Sequence, residues 1–486
     1  MYGFVSYPIA RKAVGRALCF GFALATLAPV AVHAGDNSVD TTFAVGGVQP
    51  GWRRAFVGGG GFADERIVAA ARAPDGGYVL AGSRAGGGAG ALIFLAKFRP
   101  DGTDDATFGG SAATGNAGTG RVLKDAYLSS VKDMTIDAQG RIVVVGATPG
   151  ALGQSDFGVV RFNANGTDDT SFAGDGGTGV AFDEDAANNR VNDTPSSVTT
   201  MPDGSIFVAG VVQDRNSSGA TTDVGVVKLK ANGSIDTSFG AYNTGTMNYC
   251  LAQCANVTSV ARVVYDAPRD RLLIGGDYAV GGTNTDWFIA TQTLSGSIYS
   301  SQTSYAIDLG GASAYQLAYM TDFIVQADGK PVALGWANDV NTHVVPVLLR
   351  RQSNSAAEDT SFGNTSGRGL MVLPTIDAIY YGVAVDSRKR LVLAGEFPAY
   401  SSGIVTRLNA DGSVDTSFNG TGSPSGYMAQ ASGGQSAYKT AFKRVFFDAG
   451  RPVLAGEAPD SHTVTTDYDL IVTRLQSDLI FANNLE

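Results

Sequence analysis

One short pattern recurs seven times along the chain and limits its fold more than any other feature. An apolar, β-rich run ending in glycine reads YVLAG at Gly82, IVVVG at Gly146, IFVAG at Gly210, LLIGG at Gly276, PVALG at Gly335, LVLAG at Gly395 and PVLAG at Gly456. The intervals are 64, 64, 66, 59, 60 and 61 residues. A fixed period of this length marks a repeat architecture. Each run is too short for a helix and too rich in Val, Ile and Leu for a loop, so it reads as a strand. Asp75-Gly76, Asp203-Gly204 and Asp328-Gly329 stand before three of the runs as tight hairpin turns. A third strand follows after a variable loop. Then come a second turn (Asp101-Gly102, Asn165-Gly166, Asn232-Gly233, Asp411-Gly412) and a signature, Asp-x-[Ser/Thr]-Phe, ending at Phe108, Phe172, Phe239, Phe362 and Phe418. Seven units of four short antiparallel strands fit an all-β, seven-bladed propeller.

The two ends extend this reading. A further signature, Asp40 to Phe43, has no strands before it, and the last unit stops after its third strand near Leu475. Residues 37–48 are therefore expected to supply the missing fourth strand to a blade built from about 436–481, which removes open sheet edges. The phrases VTRLNADGSVDTSFNGTG, FGVVRFNANGTDDTSFAGDG and VGVVKLKANGSIDTSFG resemble the delta-60 repeat of secreted bacterial proteins. The resemblance covers residues 35–486, most weakly in the fourth unit. It implies a propeller and carries no assigned activity.

Charge and leader place the chain in its surroundings. With 45 acidic and 35 basic residues the net charge is −10, and a nucleic-acid binder needs a basic face instead. Residues 1–34 read as a cleavable signal peptide: Arg11, Lys12 and Arg16, then an apolar run from Ala17 to Val30, then Val32-His33-Ala34. The expected location is periplasmic or extracellular, without a membrane span after cleavage, and the expected state is monomeric. Cys250 and Cys254 are expected to form a local disulfide there.

The third strands carry Lys97, Arg161, Lys228, Arg350, Arg407 and Arg474, and the signatures carry Asp105, Asp169, Asp236, Asp359, Asp415 and Asp40. The fourth unit has Thr291 and no signature aspartate, so cation and carboxylate are present together or absent together. One ion pair per blade is expected, a structural rather than a catalytic feature.

Function is expected on the face with the long loops, where variation is tolerated on a rigid scaffold. The residue after each strand-two glycine is Ser83, Ala147, Val211, Asp277, Trp336, Glu396 or Glu457. The last four, in adjacent blades, are the candidate ligand-binding residues. Carboxylates beside an aromatic suit carbohydrate, a cation, or paired-carboxylate chemistry. Asp183, Asp185 and Asp193 form a weaker candidate for Ca²⁺, which a solvated acidic loop explains equally well. His343 and His462 read as surface residues, and no cofactor is expected. The sequence lacks a Gly-x-Ser-x-Gly elbow, a phosphate loop and a His-Glu-x-x-His motif. The leading reading is a non-enzymatic scaffold that binds a glycan, a protein or a cell-envelope component. The alternative is a polysaccharide hydrolase or lyase using the same carboxylates.

Overall fold

The computed structural model divides into two units, Met1–Ala34 and Gly35–Glu486, and the second contains the fold. The structure describes residues 38–476, apart from 48, 56–64, 86–90, 110–118, 125–126, 151–152, 183–191, 217–218, 241–242, 252–255, 282–283, 299–303, 308–316, 340–342, 366–367, 374–376, 398–401, 420–425, 431–439 and 460–467.

Seven four-stranded antiparallel sheets follow one another along the chain. Blade two is typical, with strands Ser130–Ile136, Ile142–Pro149, Ser155–Phe162 and Gly177–Val180. The innermost strands are Glu65–Arg72, Ser130–Ile136, Thr194–Thr200, Val257–Asp266, Ala318–Val325, Ile379–Val385 and Ala441–Asp448. Each touches the next, and the first touches the last, so the sheets form a closed ring. Among the described residues no helix is long and apolar enough to cross a membrane.

The ring closes on the N-terminal segment. Trp52–Ala55 pairs antiparallel with Tyr468–Arg474 as the fourth strand of blade seven, Trp52 opposite Thr473 and Ala55 opposite Leu470. Within the expected 37–48 stretch lie a bridge, Val39 to Leu475, and the turn at Asp40 to Phe43. The signature everywhere occupies the turn between strands three and four, so the closing strand comes after it.

All six expected ion pairs are present. Lys97–Asp105 spans 3.5 Å, Arg161–Asp169 2.7 Å, Lys228–Asp236 2.9 Å, Arg350–Asp359 2.6 Å, Arg407–Asp415 2.7 Å and Arg474–Asp40 2.9 Å. In blade two the Asp169 Oδ2 accepts from Arg161 Nε, while Oδ1 accepts from the backbone N–H (3.1 Å) and hydroxyl of Ser171. Burial pushes the Asp169 carboxyl up, but the Ser171 and Arg161 bonds outweigh it and hold it below the usual aspartate range.

The same unit reaches the next blade. Arg161 donates to Ala231 O, and Ala173 N donates to Asn232 O at 2.8 Å, both in the second turn of blade three. Phe172, fully buried, lies under that turn's Gly233 (φ +87°), where a Cβ would stand 2.9 Å from its ring. Equivalent backbone bonds run from Ala44 to Asp101, Gly109 to Asn165, Gly240 to Ser295 and Gly363 to Asp411.

Blade four lacks the signature pair and keeps a first-hairpin pair, which blades two (Arg141–Asp137, 2.6 Å) and six (Arg390–Asp386, 2.7 Å) carry as well. In blade four Asp266 pairs with Arg271 at 2.8 Å across the first hairpin, and Arg271 Nη2 donates to Gly329 O of blade five at 3.0 Å. Its Gln292 is fully buried, with neither amide atom hydrogen-bonded. The matching positions hold Phe98, Phe162, Leu229, Leu408 and Leu475 in five blades and Arg351, ion-paired with Glu358, in blade five, each in the same isolated bridge after strand three.

Two stability changes follow. Asp169→Ala leaves Arg161 buried without its carboxylate and should lower the unfolding free energy by about 3 kcal/mol; a denaturant midpoint equal to the parent's would contradict this. Gln292→Leu removes two unsatisfied polar atoms and should raise stability by about 1–2 kcal/mol. A lowered thermal midpoint would count against the assignment of that side chain.

Candidate functional site

The innermost strand of every blade carries a one-residue bulge. The register breaks between Ile67 and Ala69, Val131 and Asp133, Pro195 and Ser197, Val260 and Arg262, Met320 and Asp322, Tyr380 and Gly382, and Phe442 and Arg444. The repeated strand-two glycine exists because of it. A Cβ at Gly395 would lie 2.0 Å from Ile379 O, and one at Gly456 would lie 2.0 Å from Ala441 O. The other five meet the matching carbonyl at 1.7–2.2 Å. The bulge thus forces glycine at one position and re-aims the side chains around it.

This places the candidate residues inside strand two rather than at loop starts, because strand two continues past the glycine. Trp336, Glu396 and Glu457 occupy the same register position in blades five, six and seven. Glu396 and Glu457 belong to one network with two bulge residues, Tyr381 and Lys443. Tyr381 OH donates to Glu396 Oε1. Lys443 Nζ sits 3.8 Å above the Tyr381 ring and 3.7 Å from Glu457 Oε1. Arg66 Nη1 donates to the same Glu457 oxygen at 3.1 Å, and its guanidinium lies 3.8 Å over Tyr468. Glu457 is 4% exposed and its Oε2 has no hydrogen-bond partner. Burial, then the Glu396 bond and the charges of Glu396 and Glu457, push the Tyr381 phenol far up, so it stays protonated.

Trp336 is half-buried against Tyr319, ring centroids 4.7 Å apart. Asp277 stands in the seam between blades four and five, 1% exposed, accepting from Ser259 Oγ at 2.6 Å and Met320 N at 2.7 Å. Burial pushes its carboxyl from 3.8 up to about 7, partly opposed by those two bonds.

Sequence reading missed Tyr381, Lys443, Arg66 and Tyr468. The signal was present: the bulge residues Val68, Lys132, Ser196, Ala261, Thr321, Tyr381 and Lys443 stand at a nearly constant distance before the strand-two glycine. It also missed a charged cluster one residue further on. Arg262 Nε lies 2.6 Å from Asp322 Oδ1, and Asp322 Oδ2 accepts from Val383 N at 2.9 Å. Asp133 accepts from Ser197 Oγ at 2.8 Å, and Arg444 donates to Lys443 O at 2.9 Å. All four stand on innermost strands, and the charge of Asp133 on blade two acts on both Arg262 and Arg444, on blades that do not adjoin its own.

The other expectations divide. Asp193 is 1% exposed and accepts from Phe182 N at 3.1 Å and Gln213 N at 3.3 Å, so its oxygens serve the loop backbone. Asp183 and Asp185 lie outside the described residues, as do His462 and Cys254. Cys250 is disulfide-bonded. His343 is 71% exposed and 3.2 Å from Asp339. Among the described residues no group of three His, Cys, Asp or Glu is arranged to hold a metal.

A family described as a domain of unknown function (DUF5122) beta-propeller matches residues 139–172, 202–239 and 389–418. Each stretch ends on a signature phenylalanine, and the chain is a β-propeller repeat protein. No curated protein matches the chain. Among solved structures, the polysaccharide lyase Uly1 is 11% identical, covers 92% of this chain and 98% of its own, and has a TM-score of 0.47. The Hadza microbial sialidase Hz136 is 10% identical over 80% of this chain and 73% of its own, with a TM-score of 0.41. A glucose dehydrogenase is 12% identical over 84% and 96%, with a TM-score of 0.35. Likeness this distant carries no argument about what this chain does.

Asp277 gives a pH test. The folded state holds its proton up to about pH 7, the unfolded chain only up to about pH 4. Stability from this residue therefore falls as pH rises from about 4 to about 7. Asp277→Asn keeps the shape and removes the titration, so the variant should gain on the parent across that window and be the more stable at pH 7. Parallel pH profiles would contradict the assignment.

Proposed function

We propose that the protein is an exported, non-catalytic scaffold that takes a glycan, protein or cell-envelope ligand at the long-loop mouth of its ring, on blades five to seven. Export rests on the leader-like residues 1–34. The observation that carries the binding reading is the network of Glu396, Tyr381, Lys443, Glu457 and Arg66. Its donors and acceptors are already oriented by one another, which suits recognition, since a preordered site loses little freedom on binding.

The same network weighs against turnover. Glycoside cleavage by paired carboxylates needs one protonated acid and one carboxylate facing the reacting carbon. Glu457 is instead held by two cations and buried. Elimination needs a base that loses its proton near neutral pH, and the Tyr381 phenol is displaced the other way.

Incubating the purified protein with an array of polysaccharides and envelope fractions, then measuring both retention and product release, tests this. Retention without new reducing ends or unsaturated products is expected. Product release abolished in a folded Glu396→Ala or Glu457→Ala variant would establish the enzymatic reading instead.

A further inference from the structure

We propose that the ligand of this mouth is an uncharged, hydroxyl-rich oligosaccharide lying across blades five to seven, stacked on Trp336 and hydrogen-bonded at Glu457. The inference rests on the binding reading above and names its ligand class.

Charge balance is the first argument. Glu396 and Glu457 are matched by Lys443 and Arg66, and Glu457 is in direct contact with both cations. An anionic sugar would draw Lys443 and Arg66 away from Glu457 and leave a buried carboxylate without a counter-charge. A cationic ligand would have to displace Lys443. A neutral ligand does neither.

The second argument is an unmet acceptor. Glu457 Oε2 is buried with no partner, while Lys443 is a three-donor ammonium whose one ion-pair contact is 3.7 Å long. A sugar hydroxyl both donates and accepts, so one that displaces the side chains covering Oε2 would satisfy that oxygen and receive a hydrogen bond from the nearby ammonium.

The third argument is shape. Trp336, Glu396 and Glu457 repeat one register position in three consecutive blades. The order along that arc is apolar ring, acceptor, acceptor. Half-buried Trp336, backed by Tyr319, offers a flat apolar face suited to the C–H face of a pyranose. An arc of this kind fits several linked sugars better than one.

The experiment is calorimetric titration with neutral hexasaccharides (gluco-, manno- and xylo-configured) and with hexagalacturonate as the anionic probe, at about 0.05 M and about 0.5 M NaCl. Binding of a neutral hexasaccharide with affinity unchanged by salt is expected. Trp336→Ala should weaken it at least about tenfold, and Glu457→Gln should weaken it as well. Should Glu457→Gln fail to fold, Trp336→Ala and Tyr381→Phe, at half-buried positions, keep the test open. Binding confined to hexagalacturonate and lost at high salt would overturn the ligand class while leaving the mouth as a binding site. Neutral binding indifferent to both Trp336→Ala and Tyr381→Phe would overturn the location. No binding of any hexasaccharide would overturn the class, and retention of a protein ligand in the array would show that the scaffold reading survives it.

Discussion

The stitch between one blade and the next is the interaction on which the rest depends. A signature aspartate fixes its own turn through one oxygen and a strand-three cation through the other. That cation and the following phenylalanine then engage the next blade's second turn. A four-stranded sheet of this size cannot bury both faces alone. The stitch supplies directional contacts where apolar packing alone would let blades slide. It also explains why cation, aspartate, aromatic and turn glycine recur as a set: each is placed only if the others are.

A second constraint converts this uniform ring into one with a distinct mouth. The bulge in every inner strand brings a carbonyl within about 2 Å of where a strand-two Cβ would be, so glycine is required seven times. The residue before that glycine is core in most blades, whereas the residue after it differs from blade to blade. Small or apolar side chains fill the position after the glycine in blades one to three, whereas blades five to seven carry Trp336, Glu396 and Glu457. The same bulge turns Tyr381 and Lys443 towards these carboxylates.

The ring and its clamps were legible because they repeat. Lys97 and Asp105 are uninformative as one pair, but six co-occurring pairs and one joint absence at Thr291 point to contact, and all six pairs exist. What repeats least was hardest to read. Tyr381, Lys443 and the inner-strand Asp133, Arg262, Asp322 and Arg444 sit at or just after a bulge, where the two-residue alternation of a strand breaks and inside cannot be told from outside. Asp277 shares a register position with Glu396 yet is buried between blades, because Ser259 and the Met320 amide are there to receive it. Ser259 lies cross-strand on Asp277's own blade, whereas the Met320 amide belongs to the neighbouring one, so only part of that difference is local.

Closure of the circle by distant chain segments is the most direct point of test. Hydrogen–deuterium exchange read at Trp52–Ala55 and at Tyr468–Arg474 decides it, since these strands pair residue for residue. The structure requires amides in both segments to be protected together and to be released together as denaturant rises. Rapid exchange of Trp52–Ala55 while Tyr468–Arg474 stays protected would contradict the closed seven-bladed ring.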